Sequence, residues 1–269
     1  MMRDLLANSP DQKGGGSPSA VIFAAAQLAV VAGDYGANLR EHLAFVNAAR
    51  LLGVQFLIFP ELSLTGYEPG RAAEWAIAAN AEWLQPLATA AHNSLMTLVV
   101  GAPLHDKAEK PAIGAICFLP DGSRQTYRKM HLGGNEPNYF VAGDQSKALE
   151  VDGEVLGLAI CADASRASHP ANYATAGATV YAAGVFLTEE WYATDCPRLA
   201  GYAASERLLV MMANQADSTG SYRSVGRSAV WSPDGKLLAQ ASGTQRALVI
   251  ARKTGGFWQG DVVPVAEMS

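Results

Sequence analysis

The sequence predicts an α/β protein in which mixed β-sheets are covered by helices. Three observations carry that expectation. Short apolar runs recur along most of the chain, segments of helical spacing separate several of them, and Pro-Asp-Gly turns join others as hairpins. Helices alternate with strands early, and hairpins come in the middle and at the end. A mixed sheet covered by helices is the simplest layering that buries apolar faces arranged in that order.

Residues 1–19, "MMRDLLANSPDQKGGGSPS", are polar and rich in Gly, Ser and Pro, and are expected to form a flexible leader. Residues 20–269 are expected to form one domain. The first apolar run, 20–31, could pass for the apolar part of a signal peptide but is too short to span a bilayer. Gln27 in its middle and the following "GDYG" favour a buried first strand. Residues 37–52 then place Leu39, Leu43 and Val46 on one helical face. Strands are expected at 54–60, 95–102, 112–119 and 123–128, the last two joined by Pro120-Asp121-Gly122. Between the first two of these, 72–92 has helical spacing that Pro86 should break or kink. Further strands at 145–151, 154–160, 178–186 and 208–214 flank helices at 168–177 and 195–206. The last runs are 225–231, 236–241 and 245–252, with Pro233-Asp234-Gly235 as a hairpin turn.

Of 269 residues, 49% are hydrophobic and 17% charged, enough apolar material for a sizeable core. The net charge of -5 supplies no basic footprint for nucleic acid, and no Lys/Arg cluster points to a membrane surface. Three cysteines, Cys117, Cys161 and Cys196, cannot all pair within one chain and form no Cys-x-x-Cys spacing. That usage suits a reducing compartment, so a cytoplasmic protein is expected. No metal-ligand spacing or phosphate-cradling glycine motif is evident, so no metal or other cofactor is expected.

Glu61 follows "FLIFP", Lys129 follows "RQTYR" and Cys161 follows "GLAI", each at the end of a predicted strand. Strand ends are where sheet proteins commonly present reactive groups above a rigid base. Each residue also has a plain structural reading: a core thiol, a turn cap and a solvated lysine. Cys161 becomes a nucleophile only if a base and a positive charge converge on it.

The blocks "FPELSLTGY", "YRKMHLGGNEPNYFVAGD" and "GLAICAD" resemble the three signature blocks of the nitrilase superfamily, the carbon–nitrogen hydrolases. Gln27 with Asp34 and Asn38, "MMANQAD" and "GRSAVWSPDGKLLAQ" match other parts in order, and the resemblance covers about residues 21 to 252. It implies a four-layer α-β-β-α sandwich and a Glu61–Lys129–Cys161 triad. Cys161 would be the nucleophile, Glu61 the general base and Lys129 the oxyanion stabiliser, helped by the backbone N–H of Ala162. Glu136 would orient the lysine or the substrate. Tyr67 and Phe186 would line the pocket, though Tyr67 stands equally as a core tyrosine; His131 would support Lys129 or do structural work alone, and Asp163 reads as a structural residue of the turn after the cysteine. The resemblance further implies a small-molecule amide substrate and a homodimer or larger homo-oligomer.

The implied activity is an amidase releasing ammonia through a thioester. An N-carbamoyl amidohydrolase is the alternative, with Arg166 available for a substrate carboxylate or for a surface ion pair. A nitrilase ranks after that, and a catalytically idle binding or scaffold protein stands outside the enzymes. Two departures bear on substrate. The family often has Tyr-Asp and then aromatic-Pro-Glu after the cysteine, where this chain has "CADASRASHP". The family's helix opening on Trp is replaced by "DCPRLAGYAASERL", with Cys196 near the expected tryptophan.

Overall fold

The computed structural model describes residues 20–106, 108–219 and 222–266, so the expected leader, 1–19, lies outside the described residues. The chain opens with β1 (Val21–Gln27), α1 (Tyr35–Leu51), β2 (Phe56–Ile58), α2 (Ala72–Trp75) and α3 (Gln85–Ser94). β3 (Thr97–Leu104), β4 (Ala112–Phe118), β5 (Arg124–Arg128), β6 (Ala148–Val151) and β7 (Glu154–Ile160) follow. Next come α4 (Ser168–Thr175), β8 (Val180–Val185), α5 (Glu189–Glu206), β9 (Leu209–Asn214), and the short pair β10 (Ser218–Thr219) and β11 (Tyr222–Arg223). β12 (Ala229–Trp231), β13 (Leu237–Gln240), β14 (Ala247–Thr254) and β15 (Phe257–Pro264) close the described chain.

These strands form a seven-stranded sheet, ordered β15-β14-β1-β2-β3-β4-β5, and a six-stranded sheet, ordered β13-β12-β9-β8-β7-β6. Alternate residues of each strand point to opposite faces, and in the central strands both faces are buried. On β1, Phe23 and Ala25 pack between the sheets with Ile58, Leu158 and Met211. Ala24 and Ala26 face the other way, onto Phe45, Val46 and Leu87 of α1 and α3. On the second sheet, Ala159, Ala183 and Val210 meet Tyr173 and Leu199 of α4 and α5. The result is the four-layer α-β-β-α order, and burial on both faces explains why the strands read as continuous apolar runs.

β1 is a central strand, paired with β2 and β14. Its buried Gln27 donates Nε2–H to Gly243 O and Gln245 O, and accepts from Ser228 N. One side chain thereby satisfies polar backbone belonging to both halves of the sandwich.

Three expectations are corrected. Segment 72–92 is not one helix: α2 ends at Trp75, Ile77 bridges Leu104 in extended form, and α3 begins at Gln85. Pro86 neither breaks nor kinks a helix; it occupies the first turn of α3, where its missing N–H costs nothing. The helix expected at 195–206 starts at Glu189, which brings Trp191 into its first turn. β15 was unread because it is an edge strand of alternating exposure with Gly and Asp inside it. Among the described residues, no helix is long and apolar enough to cross a membrane.

Candidate active site

Glu61 stands on a tight turn just beyond β2. Leu62 takes a φ of 50°, and the turn is clasped between two glycines. A Cβ on Gly101 would lie 2.4 Å from Pro60 O, and one on Gly184 would lie 2.6 Å from Phe59 O. Only glycine permits that approach from strands of both sheets. The turn is also pinned by hydrogen bonds. Ser63 Oγ accepts from Gly101 N and contacts His42 Nε2 at 2.9 Å, while His42 Nδ1 lies 2.6 Å from Asn38 O. Burial pushes the His42 ring down to about 4, so it is neutral at pH 7. Gln215 Nε2 donates to the carbonyl of Glu61 at 2.9 Å.

Lys129 follows β5 and is fully buried. Its Nζ donates to Glu61 Oε1 at 2.8 Å and to Glu136 Oε1 at 2.7 Å. Glu136 sits on a short 3-10 turn, accepts Gly133 N–H on Oε2 at 2.7 Å, and accepts the Tyr67 hydroxyl at 3.0 Å. Burial works against the ammonium, but Glu61, with Cys161 and Glu136, more than offsets it and holds Lys129 above its ordinary range. Burial pushes Glu61 up to about 7, against the pull of Lys129. Its Oε2 is buried without a hydrogen-bond partner among the described residues.

Cys161 follows β7 of the second sheet on a strained elbow, with φ of 43°. Asp163 builds that elbow. Its Oδ2 accepts Ile160 N at 3.0 Å and Tyr127 OH at 2.6 Å, and its Oδ1 accepts Met130 N at 3.0 Å and His131 N at 2.8 Å. The carboxylate therefore ties the segment after Lys129 to the segment holding Cys161. Burial and the nearby Glu61 raise the thiol well above its usual value, with Lys129 opposing, so the thiol rests protonated.

Above these groups lies a cavity of 590 Å³. Tyr67, Lys129, His131, Glu136, Cys161, Ala162, Arg166 and Phe186 all line it, and Glu61 joins them through its bond to Lys129. Every site residue expected from sequence is thus brought to one place. Their settings differ, however. His131 does not reach Lys129 but hydrogen bonds Asp163 through Nδ1 at 3.1 Å. Arg166 is exposed at the mouth and is in no ion pair among the described residues.

Tyr67 stacks on Phe186 with ring centroids 5.0 Å apart, and Tyr222 stands edge-on to Tyr67 at 5.3 Å. Tyr222, Trp191 and Asp195 line the cavity but were not singled out in sequence. Tyr222 lies on a two-residue strand with no periodic signal, and Trp191 became visible only once α5 began six residues earlier than expected. The fold also gathers His131, Asp163 and His169 within 4.8 Å, a cluster with metal-ligand chemistry that spacing did not reveal. Both Asp163 oxygens are engaged, and His169 meets Tyr127 and Tyr181 hydroxyls through its two nitrogens. The cluster reads as a closed hydrogen-bond network behind the elbow.

A family model for carbon-nitrogen hydrolases matches residues 23–254. The chain is 28% identical over 145 residues to the glutamine-dependent NAD(+) synthetase of Thermotoga maritima. That alignment covers 51% of this chain and only 25% of the synthetase. In fold, the chain is similar to Nit3 of Saccharomyces cerevisiae, a member of branch 10 of the nitrilase superfamily. The TM-score is 0.81, at 23% identity over 88% of this chain and 90% of that one. A variant of the amidase from Nesterenkonia sp. AN1, with the acetamide moiety of fluoroacetamide on its active-site cysteine, gives a TM-score of 0.79. Its identity is 23%, over 87% of this chain and 90% of that one. Another structure of that amidase holds butyramide.

Proposed function

Since the chain belongs to the carbon–nitrogen hydrolase family of the nitrilase superfamily, we propose that it is an amidase using Glu61, Lys129 and Cys161 on a small linear amide. The observation that carries this reading is the buried Lys129 ammonium. It is held between Glu61 and Glu136 at the floor of the cavity, with the second Glu61 oxygen unpartnered and Cys161 on the facing elbow.

Each step follows from that placement. Glu61 takes the thiol proton as the Cys161 sulfur attacks the amide carbon. The oxygen that gains charge faces the Lys129 ammonium and the Ala162 N–H, which need no reorganisation to receive it. Protonated Glu61 then passes its proton to the departing nitrogen, the C–N bond breaks, and ammonia leaves behind a thioester. Water gives a proton to Glu61 and attacks the thioester, the C–S bond breaks, and the thiol is restored with a carboxylic acid as product. A carboxylate raised to about 7 suits both directions of proton transfer near neutral pH. Glu136 keeps Lys129 in place, and Tyr67, Phe186 and Tyr222 present aromatic faces to the acyl group. The Nesterenkonia amidase variant, in which the acetamide moiety of fluoroacetamide has added at the active-site cysteine, supports Cys161 as the nucleophile.

A second reading, an N-carbamoyl amidohydrolase, is favoured by Arg166, which lines the cavity without an ion-pair partner among the described residues. A panel of short aliphatic amides, N-carbamoyl amino acids and nitriles, scored by ammonia release and intact mass, tests both. The expected result is ammonia from an amide, with an acyl adduct on Cys161, and no activity in Cys161→Ala. Turnover that survives that substitution sinks the mechanism. A preference for carbamoyl compounds that is lost in Arg166→Gln would establish the second reading. Failure of the whole panel by a protein that binds a partner would favour the catalytically idle reading.

A further inference from the structure

The proposed reaction gives no work to Gln215, yet this fully buried residue is bonded to the main chain that carries Glu61. The proposed triad is assembled from two sheets. Glu61 and Lys129 come from the ends of β2 and β5 in the first, and Cys161 comes from the end of β7 in the second. Their spacing therefore depends on how the sheets are joined beside the cavity. On the Lys129 side, Asp163 of the second sheet accepts Met130 N, His131 N and the Tyr127 hydroxyl. On the Glu61 side, Gln215 extends from the end of β9 and donates to Glu61 O at 2.9 Å.

Gln215 is itself held firmly. Ser224 Oγ donates to its carbonyl at 2.7 Å, and the next residue, Ala216, donates N–H to Leu28 O at 2.8 Å on the first sheet. Its own Oε1 is buried with no partner among the described residues. A buried acceptor without a partner is a cost that an apolar side chain of similar length would avoid. What the amide supplies in return is one bond, directed at Glu61.

We infer that Gln215 is a positioning residue for Glu61, fixing from the second sheet where the carboxylate stands relative to Cys161. The inference rests on the reading of Glu61 as the general base. The charged or titratable groups facing Glu61 are Lys129, Glu136, Cys161 and Tyr67. Gln215 has no charge and bonds only the Glu61 main chain, so it acts through position. Misplacing a reacting group by about 1 Å costs on the order of 100-fold in rate.

The test is Gln215→Met, which keeps length and volume and removes the amide. The expected result is a kcat lower by roughly 10- to 100-fold with KM within about twofold. The acidic limb of the kcat–pH profile should move to lower pH as the carboxylate relaxes from its dry position, while the melting temperature is kept. An unchanged kcat and limb overturns the inference. A lower kcat with an unmoved limb and a lost melting temperature overturns it too, because that is the signature of a merely structural role. If Gln215→Met does not fold, Ser224→Ala loosens Gln215 instead and should give a smaller loss of the same kind; an unchanged kcat there is equally decisive. Glu61→Gln, run in parallel, separates the two readings. An active Glu61→Gln removes the proposed mechanism, whereas an inactive one beside an unaffected Gln215→Met removes only this inference.

Discussion

At the floor of the cavity, Lys129 is fully buried with a carboxylate oxygen at 2.8 Å on one side and another at 2.7 Å on the other. At the mouth, Arg166 is exposed, Trp191 is 56% exposed, and Tyr222 is fixed by ring contacts with Tyr67 and Phe186. The floor is tied together by bonds that come from both sheets, so a change in one group disturbs the others. Mouth groups rest on few contacts and can change without moving the frame. Chemistry common to a family can reside in the first region while substrate choice varies in the second.

The severest way to break this contrast is Lys129→Met. It leaves Glu61 and Glu136 buried without their cation, so unfolding free energy should fall by about 3–5 kcal/mol. Ammonia release should stop. A stable or active variant, judged by urea unfolding and turnover, would show the floor to be less interlocked than its geometry implies. His42 extends the contrast to pH. Its folded pKa is depressed, so its contribution is fully present above about 6.5 and is lost as pH falls toward about 4. Urea titrations at pH 7 and pH 4 should show roughly 3 kcal/mol less stability at the acid end from this group. His42→Gln should flatten that difference.

Gly184→Ala comes next. Its Cβ would meet Phe59 O at 2.6 Å, and the sheets must part to admit it. A loss of about 1–3 kcal/mol is expected, with kcat reduced because Glu61 moves as well. The rate profile is a gentler probe. As the proposed base, Glu61 must be ionised to accept the thiol proton, and its pKa is raised, so kcat should fall below about pH 7, approaching tenfold per pH unit. The sign reverses for stability, because a raised carboxylate favours folding below its unfolded value and loses that benefit as pH rises through 7. A flat profile between pH 5 and 7 would remove Glu61 as the base. Smallest of all, Tyr222→Ala should leave the melting temperature within a degree or two and change KM by about two- to tenfold, more for one acyl size than another. A collapse of the fold in that variant would erase the distinction between the two regions.

The same contrast explains what could be read from sequence. Glu61 and Cys161 each end an apolar run, and strands buried on both faces make such runs conspicuous, whereas Lys129 ends the polar, half-exposed run "RQTYR" and is marked only by the block around it. Asp163 was legible as a turn residue two positions beyond the cysteine, though its bonds to Met130 and His131 were not. Gln215 could not be assigned a partner, since its bond to Glu61 spans 154 residues and leaves no periodic trace. Tyr222 lay outside every pattern, and Trp191 was separated from the helix by a boundary drawn too late. From sequence Arg166 reads more readily as a surface ion-pair partner than as a ligand for substrate, and only tertiary placement puts it on the cavity wall.

The position of β1 carries a consequence for how the molecule is made. One neighbour, β2, is supplied within a few dozen residues, but the other, β14, comes from near the end of the described chain. The Gln27 bond to Gly243 spans 216 residues. At ribosomal speeds of about 5–20 residues per second, roughly 10 to 40 seconds pass before that strand can be paired on both sides. Through that interval the nascent chain carries an open, strongly apolar edge at the middle of its future first sheet. The polar Gln27 amide is the one hydrophilic break in that edge, and its replacement by an apolar residue should show first as aggregation during synthesis rather than as a slower enzyme.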